Sequence, residues 1–303
     1  MAISELERLR AATPGIPDAV LVEDLIERLG QDLELTPPTN LHLAASYQQI
    51  GEIRVAEMDW AGMLTPSPDG TFCITVRASD RPHRRNFTIA HEIVHTFLPG
   101  YSVVQHRCGA DGPISRLVGT AHLEGLADVG AAELLLPRRF LREEFADAPL
   151  EVPAIKRLAD RHHASLSATL QRLLRLDDRP GIFVELRRVS RADGEPETLV
   201  HRVFSNTDWC AVAPYQLHGL QLPRSHPIAA VLDTLSAADV VDVSVLGTKT
   251  RLADVSALCD PYTDHEGNLV MRALLLATPH HQPDLRIRLN DGLPSRSSAR
   301  LPR

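Results

Sequence analysis

The stretch His91-Glu92-Ile93-Val94-His95 constrains this chain more tightly than any other. Residues four apart on an α-helix stand one turn apart on the same face. His91 and His95 can therefore aim two imidazoles at one point. Glu92 is turned about 100° from His91, close to that point without sharing it. The flanks call for a buried helix: Phe87, Ile89, Ala90, Ile93, Val94 and Phe97 are apolar, and Pro99-Gly100 ends the run. A core helix that carries these three polar groups by chance is the plainer alternative. It would leave three titratable side chains in search of buried partners. Two imidazoles at this spacing suit a metal ion, and the carboxylate beside them suits a base acting on a water held there.

An ion of this kind needs a third protein ligand and an open position. The next apolar helix, from Glu124 to Pro137, offers Glu124 with Asp128 one turn on. With Glu124 as the ligand, Asp128 is placed to accept a hydrogen bond from the outer nitrogen of a ligand histidine and so orient its ring. Glu133 is the rival. It lies about 180° around the helix from Glu124 and is expected to face solvent. Gly130-Ala131-Ala132 should let this helix pack closely on the first.

The two blocks together resemble the ImmA/IrrE family of zinc metallopeptidases. The first is Arg85-Asn86-Phe87-Thr88-Ile89-Ala90-His91-Glu92-Ile93-Val94-His95. The second, Glu124-x-x-Ala127-Asp128-x-Gly130-Ala131-Ala132-Glu133-Leu134-Leu135-Leu136-Pro137, is similar to that family's E-x-x-A-N-x-(F/G)-A-A-x-L-L-M-P helix. Asp128 stands where the family commonly has Asn, which brings the site nearer to other gluzincins and their E-x-x-x-D helix. The resemblance implies His91, His95 and Glu124 as metal ligands and Glu92 as the catalytic group. It also implies Zn2+ as the cofactor, with Mn2+ or another divalent ion as alternatives, and a regulatory protease that cleaves a helix-turn-helix repressor.

The chain has 303 residues, enough for two or three domains. Its net charge of −7 gives no overall basic field to hold nucleic acid. Cys73, Cys108, Cys210 and Cys259 form no C-x-x-C pair, which reads as free thiols in a reducing cytosol. The acidic start Met1-Ala2-Ile3-Ser4-Glu5-Leu6-Glu7 is unlike a signal peptide, and no apolar run approaches the ~20 residues of a membrane span. A cytoplasmic protein without a membrane partner is expected.

Residues 1–14 read as a short charged segment. Leu21, Leu25 and Leu29 mark a helix that Gly30 should stop. A strand and a short helix are expected within 31–50. Ile53–Met58, Trp60–Leu64 and Thr71–Val76 read as a small antiparallel sheet, with a turn at Pro66-Ser67-Pro68-Asp69-Gly70. Trp60 is expected in the core. By the resemblance, the edge strand of this sheet could hold substrate in extended form, a general mode of peptide binding. Pro82-His83-Arg84-Arg85 is expected to be a solvated face just before the metal helix. In and just after the loop at 98–118, Tyr101, His106 and His122 are open alternatives as donors to the oxyanion formed when a peptide carbonyl is attacked. Val152–Leu174 reads as helix, turn, helix. Lys156, Arg157, Arg161 and Arg172 could contact phosphate there, but without a dense basic stripe a packing module is favoured. His162 and His163 are expected to be exposed.

Asp177-Asp178-Arg179-Pro180-Gly181 marks a boundary. Strands are expected beyond it at Ile182–Val189, Leu199–Phe204, Val240–Val245, Leu252–Leu258 and Asn268–Ala277, with a helix at Pro227–Leu235 and a short edge strand at Leu285–Leu289. In the IrrE branch of the family this part is similar to a GAF sensor domain. Cys210 and Cys259 are expected to be buried and inert.

The expected fold is α+β, in four parts: a gluzincin-like metallopeptidase core at 1–147, a helix-turn-helix-like segment at 148–178, a GAF-like domain at 179–289 and a disordered tail at 290–303. The expected activity is zinc-dependent endopeptidase cleavage of a transcriptional repressor under stress or DNA damage. The rival is a non-catalytic, metal-stabilised regulator that binds DNA, a ligand or a partner protein.

Overall fold

A computed structural model of the chain describes residues 3–100, 106–108, 120–146, 152–176, 181–189, 197–205, 219–223, 225, 229, 231–232, 255–263 and 268–277. The expected segments at Val240–Val245 and Leu285–Leu289, the tail, most of the expected helix at Pro227–Leu235, Tyr101 and Cys210 lie outside them. The fold is α+β, in two compact units, Met1–Leu176 and Asp177–Arg303.

In the first unit, the expected charged segment forms helix α1 (Glu5–Ala12). Ser4 and Glu7 close a capping box at its start, and Leu6 is fully buried. Helix α2 (Asp18–Asp32) buries Leu21, Val22, Leu25, Ile26 and Leu29. It runs through Gly30, because that glycine is itself buried and its carbonyl accepts a hydrogen bond from Arg139 at 3.0 Å. Helix α3 (Leu41–Tyr47), capped by Asn40, leads into strand β1 (Ile50–Ala56), and no strand precedes it among the described residues.

β2 (Gly62–Pro66), β3 (Phe72–Arg77) and β4 (His106–Cys108) complete a sheet of order β1-β3-β2-β4. It is mixed, not antiparallel: β1 runs parallel to β3, while β2 is antiparallel to both neighbours. Leu64, Phe72, Ile74 and Val76 are buried, so the alternating residues of β3 face the core. Trp60 lies on the turn between β1 and β2 and is 36% exposed, contrary to the expected core position.

Helix α4 (Pro82–His95) begins one turn earlier than the motif suggests. Pro82 sits in its first turn, where a missing N–H costs nothing. The expected solvated segment is therefore part of the helix, and Arg84 on it is exposed. α4 ends where the Thr96 hydroxyl donates to the Ile93 carbonyl at 2.6 Å. Helix α5 (Thr120–Leu135) packs against both α4 and α2. Gly130 permits this. A Cβ there would lie 2.6 Å from Val94 Cγ1 and 2.9 Å from Val22 Cγ1.

Helices α6 (Arg138–Ala146), α7 (Val152–Arg161) and α8 (Leu166–Leu176) follow. Arg172 of α8 is buried against Glu133, donates to Glu23 at 2.5 Å and donates to the Leu136 carbonyl at 3.2 Å. Glu133 is thus buried rather than solvent-facing, and Arg172 is in no position to meet phosphate. His162, expected to be exposed, is wholly buried and donates through Nδ1 to the Leu135 carbonyl at 3.0 Å; His163 is exposed.

Burial holds the His162 imidazole below its ordinary pKa. The native chain therefore keeps His162 neutral at a pH where the unfolded chain already binds a proton. Its contribution to stability is complete above about pH 6.5 and fades as the pH falls below that value. Urea midpoints recorded across this range should decline with acidity, and the decline should be smaller in His162→Gln. An equal decline in both chains would remove His162 as its source.

In the second unit, strands β5 (Gly181–Val189), β6 (Glu197–Ser205), β7 (Gln221–Leu222), β8 (Val255–Thr263) and β9 (Leu269–Ala277) form an antiparallel sheet of order β7-β6-β5-β9-β8. One face buries Ile182, Val184, Leu186, Val200, Met271, Ala273 and Cys259. Cys259 is buried and Cys73 half-buried, and neither is in a disulfide.

Candidate metal site

α4 and α5 cross so that three side chains converge. His91 and His95 lie on one face of α4, 4% and 1% exposed. Their Nε2 atoms are 3.0 Å apart. The Glu124 carboxylate, reaching over from α5, stands 3.2 Å from His91 Nε2 and 3.4 Å from His95 Nε2. The ligand-type atoms of all three residues lie within 4.8 Å of one another.

Asp128 fixes what these atoms offer. Its Oδ1 is 2.9 Å from His91 Nδ1. A carboxylate can only accept, so Nδ1 carries the hydrogen and His91 Nε2 presents a lone pair. That lone pair faces the Glu124 carboxylate, which is also an acceptor. One proton can bridge only two of these atoms, whereas one cation between them satisfies all three. The donor set, two imidazole nitrogens and one carboxylate oxygen, fits a divalent ion such as zinc.

Burial works to raise the Glu124 pKa. The His91 and His95 rings beside it outweigh burial and hold the carboxyl well below its usual range. Glu124 is therefore ionised across the neutral range.

Glu92, one residue along α4 from His91, is fully buried. It borders β2: a Cβ added to Gly62 would stand 3.0 Å from Glu92 Oε1 and would collide with the Thr88 methyl. Glycine at this position lets the strand approach the helix closely enough to touch the carboxylate. His122 lies away from the converging atoms. It is exposed, and its Nε2 is 3.1 Å from Asp18 Oδ2. His106 is in β4, with its side chain outside the described part.

Asp128 is 61% exposed at its side chain, so little of it is packed, and its bond to His91 Nδ1 is what places it at the site. Asp128→Ala should weaken metal affinity by about 10- to 100-fold. Competition with a chromogenic chelator measures this, and an unchanged affinity would show that the ring needs no such support.

Residues 49–174 match the peptidase family described as the IrrE N-terminal-like domain. Over this segment the chain is similar to the ImmA/IrrE family. His91, Glu92, His95, Glu124 and Asp128 all fall inside the matched segment. The radiation response metalloprotease IrrE of Deinococcus deserti is 30% identical over 167 residues, 53% of this chain and 57% of that protein. The match thus spans little more than half of its relative. Among solved structures, a Mycobacterium tuberculosis transcriptional regulator superposes with a TM-score of 0.45 at 16% identity, over 84% of this chain and 75% of that one.

Two buried features escaped the motif reading, the Glu133–Arg172 pair and His162. The sequence carried one signal for the first. From Val129 to Leu136 Glu133 is the one charged residue in an otherwise apolar run, which leaves it no polar face to share.

Proposed function

We propose that this chain is a zinc-dependent endopeptidase that cleaves a regulatory protein, a helix-turn-helix transcriptional repressor, in a stress or DNA-damage response. The observation that carries the reading is the convergence of His91 Nε2, His95 Nε2 and the Glu124 carboxylate, with Asp128 fixing the His91 tautomer. The Deinococcus relative, a radiation response metalloprotease, supports both the activity and the setting.

A divalent ion at this position supplies a Lewis acid, which lowers the pKa of a water and polarises a carbonyl. His91 and His95 would hold it through Nε2, and Glu124 would offset part of its charge. The Glu92 carboxylate takes the proton from the attacking water and returns it to the amine nitrogen as the peptide bond breaks. Its burial excludes bulk water from that exchange.

The burial of Arg172 supports reading the helical segment at 148–178 as a packing module rather than a DNA reader. The five-stranded sheet of the second unit supports assigning 179–289 to a small-molecule sensor of GAF type. None of the helices described is long and apolar enough to cross a membrane, in keeping with a cytoplasmic setting.

Purified chain incubated with a helix-turn-helix repressor and zinc or manganese tests the reading. A discrete cut that a chelator abolishes and added metal restores is the expected result. A shift of promoter DNA with no cut would instead make the chain a non-catalytic regulator.

A further inference from the structure

An extended peptide binds a sheet by pairing its main chain along an open edge. The strand that borders Glu92 is β2, through Gly62. One side of β2 is filled by β3. Its other side is filled by β4, with Gly62 opposite Cys108, Met63 opposite Arg107 and Leu64 opposite His106. The edge beside the carboxylate is therefore already taken, antiparallel, by a segment of the same chain.

We infer that β4 is an internal occupant of the substrate edge, and that the chain admits a peptide by exchanging it for β4. This rests on the peptidase reading above. β4 is three residues long and, among the described strands, pairs with β2 alone. The exchange swaps a few main-chain hydrogen bonds for others of the same kind, so it runs close to balance. The apparent affinity for a peptide is then reduced by the fraction of time that β4 is in place. The fitting partner is a segment that can lie extended, an unfolded stretch or a strand. A rigid helix cannot supply the outward main-chain groups that β2 pairs with.

The test uses the full chain carrying Glu92→Gln, so that binding is read without cleavage. The probe is a fluorescein-labelled peptide copying residues 102–110, followed by anisotropy. His106→Pro/Arg107→Pro removes two adjacent backbone donors from β4. Peptide binding should tighten by about tenfold, the worth of one or two main-chain hydrogen bonds. Hydrogen exchange at Gly62–Leu64 should quicken in the double variant and slow again when peptide is added. If the proline chain does not hold its fold by circular dichroism, Met63→Cys/Arg107→Cys ties the opposed positions together. The oxidised form should bind peptide about tenfold more weakly than the reduced form. Equal affinity between the compared forms, or exchange at 62–64 unchanged by the prolines, overturns the inference. Neither readout involves catalysis. A chain that never cuts but exchanges β4 would therefore sink only the peptidase reading.

Discussion

Glu92→Gln is expected to lower repressor cleavage by about 10²- to 10⁴-fold and to leave the bound metal in place. The amide has the volume of the carboxylate, so the fully buried position beside Gly62 and Thr88 keeps its packing. What it loses is the ability to take a proton from water. The ligand atoms of His91, His95 and Glu124 do not include Glu92, so metal content should match that of the parent chain. Single-turnover cleavage with metal analysis of the same samples checks both halves. Cleavage at the parent rate would remove Glu92 as the base, and a loss of metal would place it among the ligands.

Arg172→Met should destabilise the first unit by about 3–5 kcal/mol. Arg172 and Glu133 are each 1% exposed, and burial already pushes the Glu133 carboxyl above its usual range against the pull of Arg172. Removing the arginine strands that carboxylate and leaves Glu23 and the Leu136 carbonyl without their donor. Adding Glu133→Leu should recover much of the loss, since replacing both members of a buried pair by apolar groups is often close to neutral. Urea midpoints of the parent, single and double variants measure the cycle. A single variant within about 1 kcal/mol of the parent would mean that the pair is solvated in solution, contrary to its burial here.

The site was more legible than the fold around it, for a physical reason. The spacing within each helix is local: His91 to His95 and Glu124 to Asp128 are each one helical turn, and a turn can be read from a string of letters. Glu133 shows the limit of the same rule. Its angle from Glu124 correctly places it on another face of α5, but a helical wheel does not say what covers that face. Here it is α8, through Arg172, thirty-nine residues further along the chain. The parallel pairing of β1 with β3 was hidden in the same way, because sequence neighbours suggest hairpins and β3 lies between β1 and β2. The capping box of Ser4 and Glu7 is different. Its pattern was present in the letters, and it marks α1 where only a charged segment was expected.

The central claim is that two histidines of α4 and one glutamate of α5 hold a single ion. X-ray absorption at the zinc edge, on purified chain loaded with one equivalent of zinc, tests it most directly. The predicted spectrum has two imidazole nitrogens at about 2.0–2.1 Å with oxygen filling the remaining positions, and Glu124→Ala alters the oxygen shell. A sulfur shell, a zinc content far below one equivalent, or a spectrum indifferent to Glu124→Ala would contradict the account.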